Sequence, residues 1–115
     1  MPRLVTAGLL GAIAIALGAF GAHGLKERLA SIPEALGWWE TATFYLLTHA
    51  VAIGAIAARS ALPARLWAMG SAIFAGTLYA MALGAPRWFG AITPIGGSML
   101  IAGWVVLAWT ARKDS

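Results

Sequence analysis

Cysteine is absent from the 115 residues. Disulfides, thiolate zinc sites, iron–sulfur ligation and cysteine nucleophiles are thereby excluded. Charge is scarce too. Asp, Glu, Lys and Arg make up 10% of the chain, against about 25% in a soluble domain. Hydrophobic residues reach 61%, against roughly 45–50%. That balance argues against a soluble globular domain, which could not cover so many apolar side chains with polar surface. It argues more strongly still against disorder. The length allows one domain.

Recognised catalytic patterns are also missing. There is no Gly-x-Ser-x-Gly and no glycine-rich loop ending in Gly-Lys-Ser or Gly-Lys-Thr. Gly97-Ser98 has no base beside it in the sequence, so it reads as helix packing. No enzyme activity and no cofactor are expected. The net charge is +4 and the pI about 10.4, values that would suggest nucleic-acid binding in a soluble protein. Here the 8 basic residues stand singly or in pairs between apolar runs, without a basic stripe or interleaved aromatics. No nucleic-acid partner is expected; basic residues so placed report membrane orientation instead.

What the chain does have is four apolar runs, at 4–23, 41–58, 64–83 and 92–111, each 18 to 20 residues long. At 1.5 Å rise per residue such a run reaches roughly 27–30 Å, the thickness of a bilayer's hydrocarbon core. Backbone groups in lipid must be paired internally, so each run should be a helix. The fold expected is therefore all-α: a polytopic membrane protein with four transmembrane helices in one compact bundle. The first run follows Arg3, as a signal peptide would. It is longer than a 7–15-residue signal core and ends in Gly-Ala-His-Gly without a clear small-x-small site, so cleavage is not expected.

Boundary residues support this division. Gly24 and Gly84 follow apolar runs, where a left-handed cap favours glycine. Thr93-Pro94 reads as a cap and a first-turn proline. Ser31-Ile-Pro-Glu34 has capping-box spacing, so the second helix should start near Ile32. Leu25, Leu29, Ile32 and Leu36 share a helical face, and segment 25–40 is expected to rest on the membrane surface. Arg3, Arg59, Arg65, Arg112 and Lys113 fall on one side, and Lys26, Arg28 and Arg87 on the other. Both termini should face the cytoplasm. Trp38, Trp39, Trp88 and Phe89 are expected as an outer aromatic belt, with Trp67 and Trp109 as an inner one.

Small residues mark the helix contacts: Gly8, Gly11, Ile15, Gly18 and Ala22 on the first helix, and Gly96, Leu100, Gly103 and Leu107 on the fourth. Apart from Arg65 at the edge of the third run, no Asp, Glu, Lys or Arg lies inside a run. That speaks against an ion-coupled transporter, which needs an ionisable group at membrane depth. The ionisable exceptions are His23 and His49. His49 lies nine positions beyond Glu40, about 13 Å deeper along a helix. Thr41, Tyr45 and Thr48 make a polar stripe beside His49, while Thr77, Tyr79, Thr93 and Ser98 fall in the same outer half. Such groups either satisfy one another in a packing network or line a ligand pocket. Haem ligation by His23 and His49 suffers from their different depths, and no metal-ligand spacing is present.

Taken together, Gly18-Ala-Phe-Gly-Ala-His-Gly-Leu25, Trp39-Glu-Thr41 with Tyr45 and His49-Ala50, Phe74-Ala-Gly76 with Leu78-Tyr79, and Ile92-Thr-Pro-Ile-Gly-Gly97 form a recognisable pattern. With the length and the four runs, they resemble the small membrane proteins called transmembrane-protein-256-like, also known as domain of unknown function 423. The resemblance covers nearly the whole chain. It implies an integral membrane protein with four helices and no established reaction. Ala75 stands where relatives often carry Ser, so one hydroxyl is lost from the third helix. The family's signature residues coincide with the outer polar cluster: His23, Glu40, Thr41, Tyr45, His49, Tyr79 and Thr93. Expected location is the bacterial inner membrane. Three roles follow in order: a non-enzymatic structural or interaction protein; a binder or conduit for a lipid or small molecule at the polar cluster; a haem or redox subunit. Expected partners are the lipid bilayer, a second copy of the chain or other membrane proteins.

Overall fold

Long apolar stretches whose backbone groups find no water pair internally, as helices. The computed structural model, described over residues 2–112, is built this way and contains no strand among those residues. The elements are α1 (Arg3–Ala22), α2 (Lys26–Ala30), α3 (Ala35–Ala55), α4 (Ala61–Ala82), a 3-10 helix (Arg87–Ala91) and α5 (Thr93–Ala111). The molecule measures 50 × 26 × 23 Å. Two stretches, Arg3–Ala22 and Arg87–Ala111, are long and apolar enough to cross a membrane by length and composition.

Four long helices occur among the described residues, but they do not close into a symmetric ring. α3 and α4 form a central pair; α1 lies against α3, and α5 against α4. Among the described residues α1 and α5 share no packed face. The expectation of a compact bundle thus becomes a central pair with two flanks. Outward-facing surface is apolar: Leu4, Phe44, Val51 and Ile101 are each about two-thirds exposed. In water this would be a severe liability; against acyl chains it costs nothing.

Arginines tie the two ends of the assembly. The Arg3 guanidinium Nη1 donates to the Ala57 carbonyl just beyond α3. At the opposite end Arg28 Nη2 donates to the Leu83 carbonyl at 2.8 Å. Each cation meets unpaired carbonyls at the negative end of a helix. One end therefore carries the N-terminal turn and the α3–α4 connection. The other carries α2 and the α4–α5 connection. The end of α4 is a Schellman turn: Gly84 has φ +109°, its N–H donates to Met81 O at 3.0 Å, and Ala85 N–H donates to Ala80 O at 2.9 Å.

Several local expectations are corrected. Gly24 does not take a left-handed cap; among the described residues Gly84 and Glu34 (φ 71°) have positive φ. Ser31 does not cap the next helix. Its Oγ donates back to Arg28 O at 2.6 Å, which ends α2, and α3 starts at Ala35 rather than near Ile32. Thr93 likewise makes no cap bond; its hydroxyl turns inward. Leu29 is buried and packs with Leu25 and Ile32 into the core, leaving Leu36 outside. On α1 the packed positions include Leu10, Ala14, Leu17 and Gly21 together with the expected Gly11 and Gly18, which face Ala50 and Thr43 of α3, whereas Gly8 faces open space and Ile15 is exposed. Gly11 and Gly18 thus mark part of the contact face, and Leu10 and Leu17 supply further dispersion contacts.

The aromatic belts also change. Trp39 and Trp67 are buried. Their indoles occupy space left by missing side chains: a Cβ on Gly21 would collide with Trp39, and one on Gly103 with Trp67. Trp39 Nε1 donates to Leu17 O at 2.7 Å and Trp67 Nε1 to Leu100 O at 3.2 Å. Buried indoles need such an acceptor. Trp88 and Trp109 remain exposed. Arg112 stacks 3.8 Å from the Trp109 ring centre, and Arg87 lies 5.3 Å from that of Trp38. Lys113, counted above with the basic residues, lies outside the described residues.

Candidate functional site

The seven expected cluster residues do not meet in one place. They fall into separate links and exposed positions. The deepest link centres on His49, which α3 buries against α4 and α5. Trp104 Nε1 on α5 donates to His49 Nε2 at 3.0 Å. An indole N–H only donates, so Nε2 accepts; Nδ1 then carries the ring proton and donates to Tyr45 O at 2.7 Å. The imidazole is thus assigned as the neutral Nδ1–H tautomer, with both nitrogens used. Trp67 closes the cage, its ring 4.4 Å from Trp104 and 6.1 Å from His49. Tyr45 is half out of the assembly, with its ring 4.8 Å from Phe74. A shallow, mostly apolar depression of about 270 Å³ lies beside this cage, between Tyr45, Phe74, Gly97 and Trp104.

Two further links lie toward the α2 end. Tyr79 on α4 shares a 2.7 Å hydrogen bond with Thr43 on α3, and the Trp39 ring meets it edge-on at 4.5 Å. Thr77 on α4 and Thr93 on α5 share one of 2.6 Å. Their other bonds go to backbone carbonyls of the preceding turn, Thr77 to Ile73 O at 2.9 Å and Thr93 to Phe89 O at 3.3 Å. No buried side-chain polar atom among the described residues lacks a partner.

His23, Glu40 and Thr41 are exposed and belong to none of these links. His23 sits at the end of α1. Glu40 borders a groove of about 530 Å³ between α1 and α3, with Lys26 also on its wall. Among the described residues no group of three or more His, Asp or Glu gathers at metal-binding range. Sequence reasoning missed Thr43 and Trp104. The signal for Thr43 was available: it stands four before Leu47 and four after Trp39, on the face that packs inward. For Trp104 no sequence signal distinguished an inward indole N–H from a lipid-facing one.

With this geometry in view, the relatives add a family. A model described as a protein of unknown function (DUF423) matches residues 17–97. The chain belongs to this family. A UPF0382 membrane protein of Haemophilus influenzae is 41% identical over 96% of this chain and 94% of its own. Another, from Staphylococcus epidermidis, is 38% identical over 98% of both. The UPF0382 inner membrane protein YgdD of Escherichia coli K12 is 34% identical over 90% of this chain and 84% of its own. No solved structure matches the chain. This is, then, an all-helical member of an uncharacterised family of membrane proteins. The matched region includes both central helices and the links between them.

Proposed function

We propose that this protein is a non-enzymatic structural or interaction component of the bacterial inner membrane, crossing it four times with both termini in the cytoplasm. The observation that carries the reading is the fate of the polar side chains. His49, Tyr79, Thr77 and Thr93 spend their polar atoms on neighbouring helices or on the preceding turn of their own, and no buried side-chain polar atom among the described residues is left without a partner. Such bonds lock helices that have no hydrophobic drive to associate in lipid. The four-span topology draws support from the lengths of α1, α3, α4 and α5, from 19 to 22 residues, and from the apolar outer surface. Orientation draws support from Arg3, Arg59, Arg65 and Arg112 at one end against Lys26, Arg28 and Arg87 at the other. The Escherichia coli relative carries an inner-membrane name. Exposed faces of α1 and α5 are the surfaces offered to a second copy or to another membrane protein.

Binding at the polar links has less support, because their donors and acceptors are already engaged. Haem ligation by His49 would require breaking its bond to Trp104. The test is His49→Leu, which leaves the Trp104 N–H without its acceptor. Expected is a loss of about 1–3 kcal/mol, read by unfolding in detergent, with no change in co-purifying small molecules. A variant as stable as the parent that loses a bound molecule or a Soret band would overturn the reading. Labelling of single cysteines at Ser60 and Trp88 in intact cells checks the topology: Trp88→Cys should react from outside and Ser60→Cys should not.

A further inference from the structure

The groove between α1 and α3 is a different place from the His49 links, and what it would hold is independent of them. Gly18 and Ala22 give its α1 wall small side chains or none, the Trp39 indole covers Gly21, and Leu36 and Phe44 of α3 stand exposed along it. Its volume of about 530 Å³ falls within the range of ligand sites, roughly 300–1,000 Å³. Lys26 and Glu40 also line it. They carry opposite charges, yet are not ion-paired with each other; Glu34–Arg87 is the pair formed at this end. Glu40 lies five residues into α3 and Lys26 opens α2. Both charges therefore sit near the helix ends, while Gly18 and Phe44 carry the apolar wall deeper.

We propose that this groove binds one bilayer phospholipid with a phosphoethanolamine headgroup. The charge pattern selects it. Lys26 takes the phosphate, Glu40 accepts hydrogen bonds from the ammonium, and an acyl chain lies along Gly18 and Ala22 between Leu36 and Phe44. A lipid with anionic charge alone satisfies Lys26 but places nothing positive against the Glu40 carboxylate. A choline headgroup brings the positive charge without an N–H to donate.

Native mass spectrometry of the full chain, titrated in detergent with phosphatidylethanolamine, phosphatidylglycerol and phosphatidylcholine, tests this. One phosphatidylethanolamine should be retained about tenfold more tightly than either of the others, the worth of one charge-assisted hydrogen bond. Glu40→Gln should remove that preference. Lys26→Gln should weaken retention of all three lipids, since each carries the phosphate. Ala22→Trp, an exposed position on the groove wall, should block all three; circular dichroism confirms that each variant stays folded. Equal retention of the three lipids overturns the proposal. So does a preference that survives Glu40→Gln, retention that survives Ala22→Trp, or a second copy of the chain in place of lipid.

Discussion

The central helices α3 and α4 and the flanking helices α1 and α5 solve the same solvation problem in opposite ways. The flanks read as membrane spans at once: Arg3–Ala22 and Arg87–Ala111 are both long and apolar enough to cross a bilayer. The central pair is more polar along its length, with Glu40, Thr41, Thr43 and His49 in α3 and Arg65, Ser71 and Thr77 in α4. Yet the central helices hold more of the buried positions, eleven in α4 and seven in α3, against two in α1. Hydropathy measures contact with lipid, not depth in the protein. A flank with one neighbour must be apolar on most of its circumference. A helix with protein on two sides can carry His49, Thr43, Ser71, Thr77 and Tyr79, because each finds a partner. In hydrocarbon an unpartnered polar group would be costly.

The sharpest way to break this contrast is at Trp67, fully buried where three helices meet. Trp67→Ala should cost about 3–5 kcal/mol, enough to abolish a folded state in thermal melts. Gly96 tests the close contact of α4 with the α5 flank. An added Cβ would stand 2.5 Å from Phe74 N and 2.7 Å from Gly70 O. Backbone cannot step aside as a side chain can, so Gly96→Leu should cost about 3 kcal/mol, visible in detergent unfolding. Thr77→Val removes one central polar link and should cost about 0.6 kcal/mol, the average for a hydrogen bond between membrane helices. Ile15→Ala, on the outer face of α1, should change stability by less than about 0.5 kcal/mol. If it matched Trp67→Ala, the outer face of α1 would be a packed interface rather than a lipid surface.

Much of the fold was legible because lipid imposes a simple rule: long apolar runs become helices. Gly84 read correctly as a left-handed cap, and Gly96, Leu100 and Gly103 as a packed face. The candidate site was less legible. Tyr45, His49, Tyr79 and Thr93 do line the central pair or its partners, but Thr41, Glu40 and His23 face outward. A polar stripe says nothing about which way it turns when both lipid and protein are nearly dry. Trp39 and Trp67 misread as belt residues for a related reason. An indole suits an interface or a core equally well, and the deciding feature was a glycine far away in sequence, Gly21 or Gly103.

By itself the sequence settled the solvent and the class. With 61% hydrophobic residues and no charge inside its apolar runs beyond Arg65 at one edge, the chain had to be helical and largely surrounded by acyl chains. Tertiary structure decided which helices are central, which hydroxyl meets which, and where a groove opens beside Lys26 and Glu40. Transfer free energy is a property of each residue alone and is written into composition. Pairing depends on the rotation of each helix about its axis, and that is fixed only when glycines and indoles from distant parts of the chain interlock.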